Sequence, residues 1–228
     1  MVRELGYFDN QKKVERDFAQ ISERILELTL ALQKVSDVQK IPSAWLEISE
    51  ISKAYPELAS IIAEKRYFRQ GIGEPSASVW IQHGDLSVEN AHIDWKTGHF
   101  EMFDWCDLAG GLPPLYDFFQ FFLSTGYLPR AAENVRFASE EDRWIETFKA
   151  LFLFDTAIGR LTRRLIRQAA ERLNVSPHQI PSLLLEFLII RSHYYEMRSP
   201  LQRQTQIGSL EICARNFDQL QRAWQSQS

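Results

Sequence analysis

His83-Gly84-Asp85-Leu86-Ser87-Val88-Glu89-Asn90, continued to Phe103-Asp104-Trp105, is the stretch whose reading decides the fold. It sets two aspartates and an asparagine on short connections around a hairpin. Residues 79–83 read as a short strand. Residues 91–94 and 100–103 read as two more, joined by Trp95-Lys96-Thr97-Gly98, a turn with glycine at its end. A hairpin returns its last residue beside its first, so Asn90 and Asp104 are expected to be neighbours. Polar groups in loops between strands are where a site is expected.

Working outward, the flanks read as helix. Upstream, Val14, Phe18, Ile21, Ile25, Leu28, Leu32 and Val35 recur at alternating steps of four and three, which predicts a helix over 10–36. The steps are heptad-like, so a coiled-coil seam is one reading. A single amphipathic helix docked on a core is the better one, because four heptads are barely enough for a coiled coil. Residues 45–52 and 56–67 read as two further helices, with Pro56 suited to a first turn. Gln70-Gly71-Ile72-Gly73-Glu74-Pro75 reads as a loop. Its Gly-x-Gly resembles a phosphate cradle, but Ser76 stands where the third glycine belongs and no strand precedes it.

Downstream, residues 108–114 read as a loop rich in breakers. Pro114 is placed to open a helix over 115–124. Phe118, Phe119, Phe121, Phe122 and Leu123 make that helix apolar almost all round, so it is expected to be central and buried. Ser139-Glu140-Glu141-Asp142 resembles a capping box ahead of a helix over 144–158. A helix over 161–173 follows. Ser176 and Pro177 open another that runs to about Arg198, Pro200 breaks it, and a last helix covers 206–224. The expected architecture is one domain, 1–228: α+β, predominantly helical, with a helical segment over 10–78, a core over 79–125 and a helical subdomain over 126–228.

A chain of 228 residues can bury a real core, and 45% hydrophobic with 25% charged residues is ordinary for a globular protein. The net charge of -4 makes no case for general nucleic-acid or membrane attraction. Cys106 and Cys213 fit no metal spacing and suggest a reducing compartment. The first residues lack a signal-peptide pattern, and the longest apolar runs, around 118–123 and 183–190, are too short to span a bilayer. A cytoplasmic protein is expected, with neither nucleic acid nor membrane as partner.

The polar stretch suits phosphoryl transfer. That chemistry needs a substrate hydroxyl held in line and divalent cations beside the phosphate oxygens. Magnesium prefers oxygen ligands and takes one or two carboxylates from protein. Asp85 and Asn90 stand as Asp-x-x-x-x-Asn, the spacing of a kinase catalytic loop, and Asp104 supplies a second carboxylate. Asp85 would act at the acceptor hydroxyl. Asn90 and Asp104 would hold magnesium.

Together with Gly111-Leu112-Pro113-Pro114-Leu115-Tyr116-Asp117-Phe118, these motifs resemble the aminoglycoside phosphotransferase and choline kinase family, which shares the protein-kinase-like fold. That family shows His-Gly-Asp-Leu, then Asn, then Ile- or Phe-Asp-Trp, then Gly-x-Pro and an Asp at a helix start. The resemblance runs from about residue 10 to 125. It implies the C-terminal lobe of that fold, with Asp85 catalytic, Asn90 and Asp104 on the metal, Asp117 anchoring the catalytic loop, and His83 supporting it. Ser87-Val88-Glu89 depart from the family's usual residues, at positions that vary. The implied activity is transfer of the γ-phosphate of ATP or GTP to a hydroxyl of a small molecule, with Mg as cofactor.

The family's N-terminal nucleotide lobe is not read in these residues: Lys12 and Lys13 sit at a helix start, not on a strand. A missing upstream segment or a partner chain would supply it. Alternatively, the domain is a catalytically inactive kinase-like binding or scaffold module. Two lesser readings remain. His83, His92, Asp94, His99 and Asp104 are a rival zinc set, although their spacing matches no common zinc pattern. Arg160, Arg163, Arg164 and Arg167 share a helical face, either an anion-binding wall or, better, a solvated face.

Overall fold

The computed structural model describes residues 11–34, 53, 56–65, 80–87, 89–94, 97, 99–126, 137–196 and 200–225. Helix α1, Gln11–Leu32, buries Val14, Phe18, Ser22, Ile25, Leu26 and Thr29. That spacing follows the 3.6-residue period, and Ile21, Leu28 and Leu32 of the heptad-like row are only partly buried. The helix is therefore docked on the core, where Phe18 stacks on Phe122 with ring centroids 6.0 Å apart and meets Phe121 edge-on at 6.3 Å. A 3-10 turn, Pro56–Leu58, leads into the short helix α2, Ala59–Lys65. The helix expected over 45–52 and the Gly71-Ile72-Gly73 loop lie outside the described residues.

Among the described residues, four short strands follow. Strand β1 is Trp80–Gln82, β2 is Ala91–Asp94, β3 is His99–Met102 and β4 is Ala109–Leu112. β2 and β3 form the expected antiparallel hairpin, with Ala91 opposite Met102 and Asp94 opposite His99. The loop expected over 108–114 is corrected: its first half is β4, antiparallel to β1, with Trp80 opposite Leu112 and Gln82 opposite Ala109. Gly110 and Gly111 give it no local strand preference. What makes it a strand is the hydrogen-bonding edge that β1 offers.

The remainder is helical. Helix α3, Tyr116–Thr125, is buried except at Ser124. It packs against α6, Ile180–Glu196, through Tyr116 and Phe119, whose rings lie 4.9 and 5.7 Å from that of Phe187. Helix α4, Glu140–Phe148, starts at Ser139, whose Oγ accepts from the Asp142 N–H at 3.0 Å. Asp142 in turn accepts from the Ala138 N–H at 3.0 Å.

The helix expected over 144–158 is corrected. It passes into a π turn, Lys149–Leu153, and stops; α5 is a separate helix, Ala157–Arg172, capped by Thr156. The wide turn leaves carbonyls without helical donors. Thr156 Oγ1 donates to the Ala150 carbonyl at 2.6 Å, and Arg163 Nη1 donates to those of Leu151 and Phe154 at 3.2 and 3.1 Å. The last helix begins earlier than expected: α7 is Pro200–Arg215, and a turn at Asn216 separates it from α8, Phe217–Gln225. Pro200 opens a helix because a first turn needs no N–H from it.

The fold is thus α+β and mostly helical, with two small antiparallel sheets. One buried apolar cluster extends from Val14 to Trp224. The runs at 118–123 and 183–190 belong to it. No described helix is long and apolar enough to cross a membrane. Cys106 and Cys213 are not joined in a disulfide.

Candidate active site

The loop after β1 is held from beneath by one side chain. Asp117, in the first turn of α3, is fully buried; Oδ2 accepts from the His83 N–H at 2.8 Å and Oδ1 from the Gly84 N–H at 3.0 Å. Burial pushes its carboxyl up to about 6, while the His83 and Gly84 N–H groups draw it down. Gln82 completes the grip: its Oε1 accepts from the Asp117 N–H at 2.9 Å, and its Nε2 donates to the Pro113 carbonyl. Just before this helix, Leu115 is buried with φ 72°, a left-handed conformation rare for so bulky a residue.

Gly84 has φ 87°, so the chain can turn sharply between the Asp117 anchor and Asp85. His83 is buried, with Nε2 2.8 Å from the Phe103 carbonyl and Nδ1 3.3 Å from the Asp85 nitrogen. A carbonyl only accepts, so Nε2 donates to Phe103, and Nδ1 faces the Asp85 N–H as its acceptor. The ring ties the loop to the end of the hairpin, and lies 4.8 Å from that of Trp105.

Asp85 is half-buried and takes three side-chain contacts. Gln120 Nε2 donates to Oδ1 at 2.9 Å, Arg191 Nη1 to the same oxygen at 3.2 Å, and Asn90 Nδ2 to Oδ2 at 3.3 Å. Asn90 Nδ2 also donates to the Asp85 carbonyl at 2.9 Å. The hairpin brings its ends together: the Phe103 N–H donates to the Asn90 carbonyl at 2.9 Å, so Asp104 follows the residue paired with Asn90. Asp104 is exposed with φ 54°, between the exposed rings of Phe103 and Trp105.

The donor set suits a hard cation. The Asn90 amide nitrogen is committed to Asp85, which leaves its oxygen as the end for a metal. The Asp104 carboxylate would be the second ligand, and such a pair fits magnesium, which keeps several waters or phosphate oxygens. The zinc reading fares differently. Both ring nitrogens of His83 are engaged, and His99 Nε2 contacts Glu101 at 2.9 Å. Among the described residues no three His, Cys, Asp or Glu side chains gather as a ligand set.

Of the set Arg160, Arg163, Arg164 and Arg167 on α5, Arg163 is buried and serves the π turn. Burial lowers the pKa of its guanidinium, an effect Asp155 offsets. Arg160, Arg164 and Arg167 line an open cavity of about 500 Å³ that also includes Glu15 and Glu171. Arg160 pairs with Asp155 at 2.8 Å, Arg164 meets Glu15 at 3.5 Å, and Arg167 donates to the Trp224 carbonyl. Carboxylates so placed largely balance the wall, which accords with a solvated face.

Gln82, Gln120 and Arg191 are site residues that sequence reasoning missed. Two of them left a signal: Gln120 is the one amide in a phenylalanine-rich helix, and Arg191 ends an apolar run. A polar group inside a buried apolar helix needs a partner, and that requirement points to a network. Compared with known proteins, the chain matches no protein-family model, no curated protein and no solved structure.

Proposed function

We propose that the chain carries the acceptor-and-metal half of a phosphotransfer site, in the C-terminal lobe of a protein-kinase-like fold. The reaction is magnesium-dependent transfer of the γ-phosphate of ATP or GTP to a hydroxyl of a small molecule. The observation that carries this reading is the convergence on Asp85: a half-buried carboxylate beside Asn90, on a loop whose backbone is gripped by buried Asp117.

In the transfer, the acceptor hydroxyl oxygen forms a bond to the γ-phosphorus, and the bond from phosphorus to the β-bridging oxygen breaks. The hydroxyl proton passes to Asp85 and then to solvent, and the nucleoside diphosphate leaves. With three side-chain donors on its carboxylate, Asp85 acts mainly by orienting the hydroxyl, and accepts the proton late in a loose transition state. Asn90 and Asp104 would hold magnesium, which when bound offsets charge on the phosphate oxygens. None of the four described strands carries a lysine, so a partner chain or an adjoining segment would grip the nucleotide.

Turnover of Mg-ATP and Mg-GTP against a panel of aminoglycosides, amino alcohols and sugars tests the reading. Asp85→Ala should lower turnover by about 10²–10⁴-fold. Asp104→Ala should lower it at least as much, because metal binding goes with it. Native-like turnover in Asp104→Ala would overturn the assignment. A second reading, an inactive kinase-like scaffold, is favoured by the same crowding of Asp85, whose oxygens are already shared among three side chains. Absence of both turnover and a magnesium-dependent thermal shift at millimolar nucleotide would favour the scaffold.

A further inference from the structure

Arg191 sits one residue past the Leu183–Ile190 run of α6, and is 2% exposed. A guanidinium taken out of water is costly unless it is paired and hydrogen-bonded. Here Nη1 lies 3.2 Å from Asp85 Oδ1 and 3.5 Å from the Gly84 carbonyl, 106 and 107 residues away in sequence. Gln120, 4% exposed on α3, donates to the same Oδ1 at 2.9 Å. Two helices packed together in the core thus converge on one oxygen of one carboxylate. The other oxygen, Oδ2, accepts a longer contact from Asn90 Nδ2, at 3.3 Å, and the residue as a whole is half-buried.

We propose that Arg191, assisted by Gln120, is a positioning residue: it fixes the Asp85 carboxylate by Oδ1 so that Oδ2 is presented to the acceptor hydroxyl. The proposal rests on the phosphotransfer reading of the site. The division of labour follows from donor geometry. The guanidinium carries its charge at any working pH and compensates the carboxylate it contacts. A carboxylate held by one oxygen from two rigid helices cannot swing, and rotation away from an in-line hydroxyl is the kind of misplacement that costs about 10²-fold in rate. The bland alternative is that Arg191 only ties α6 to the loop through the Gly84 carbonyl. That tie would stabilise the fold without regard to the Asp85 side chain.

The two roles separate in a variant series of the full chain, with Mg-ATP turnover followed in the presence of the acceptor panel and of water alone. Arg191→Met should lower kcat by about 10²-fold with the KM for Mg-ATP unchanged. Arg191→Lys should recover part of that loss, and Gln120→Met should show a smaller one. In an Asp85→Asn background, Arg191→Met should cost no further turnover, since the carboxylate it positions is gone. An equal loss in both backgrounds would assign Arg191 a purely structural role and overturn the proposal. So would native kcat in Arg191→Met, Arg191→Lys and Gln120→Met alongside a loss in Asp85→Asn. Native turnover in Asp85→Asn, or neither turnover nor a magnesium-dependent thermal shift with nucleotide in the native chain, would instead bring down the phosphotransfer reading itself. If Arg191→Met does not fold, Arg191→Lys and Gln120→Met carry the same comparison.

Discussion

At the scale of single residues, the site rests on backbone conformations that side chains either enforce or forbid. Gly84, at φ 87°, has its α-carbon against the Asp107 backbone, and an added Cβ would run into the Asp107 carbonyl. Gly84→Ala should therefore cost at least about 1–3 kcal/mol, read as a fall in Tm. Asp117 is subtler, because two backbone N–H groups favour its anion while full burial opposes it. Burial wins: the carboxyl is raised from 3.8 to about 6. An acid that is weaker in the folded state stabilises the fold at low pH, and the contribution is lost as pH rises through the folded value. Relative to Asp117→Asn, the native chain should lose stability between about pH 4 and 6 in denaturant titrations, by on the order of a few kcal/mol, with the difference levelling above. A native profile parallel to that of Asp117→Asn would contradict the direction of the shift. The identity of Asp117 as a helix-start acid was legible in sequence; its grip on two N–H groups 33 and 34 residues away was not.

At the scale of elements, the lesson lies where helix and strand preferences were overridden. Gly159 lies in the first turn of α5, where propensity alone says that alanine would gain about 1 kcal/mol. The structure reverses the sign. A Cβ there would strike the Ala150 carbonyl and crowd Thr156 Oγ1 at 2.9 Å and Arg163 Nη1 at 3.1 Å. Those atoms close the π turn and cannot retreat cheaply. Gly159→Ala should lower Tm, and a rise would show that the turn yields. Strand β4 is the complementary case. Ala109-Gly110-Gly111-Leu112 has the composition of a loop, and periodicity has little to act on where three of four residues are small. Its strand character comes from β1, so it could be recognised only after the chain had folded back.

At the scale of the whole molecule, a few long-range ties register the helices on the site. Gln33, just past α1, behaves like an extra strand edge: Nε2 donates to the Thr29 and Ile81 carbonyls, both at 2.8 Å, and Oε1 accepts from the Ile81 N–H at 3.1 Å. The tie spans 48 residues and fixes α1 against the strand that leads into His83. Gln33→Leu should lower the unfolding free energy by about 1–3 kcal/mol, since both Ile81 backbone groups lose their partner. An unchanged denaturation midpoint would show that water replaces the amide. What the sequence by itself determined were the helices with a strong apolar period, the hairpin after Asn90, and the ordered polar residues His83, Asp85, Asn90, Asp104 and Asp117. These signals are local: a face repeats every few residues, and a turn announces itself by glycine and proline. Only the tertiary structure decided that β4 pairs with β1, that the helix expected through residue 158 stops at a π turn, and that Gln120 and Arg191 meet on Asp85. Those outcomes depend on which surfaces come together: Arg191 meets Asp85, 106 residues away in sequence, only once α6 has packed beside the loop after β1.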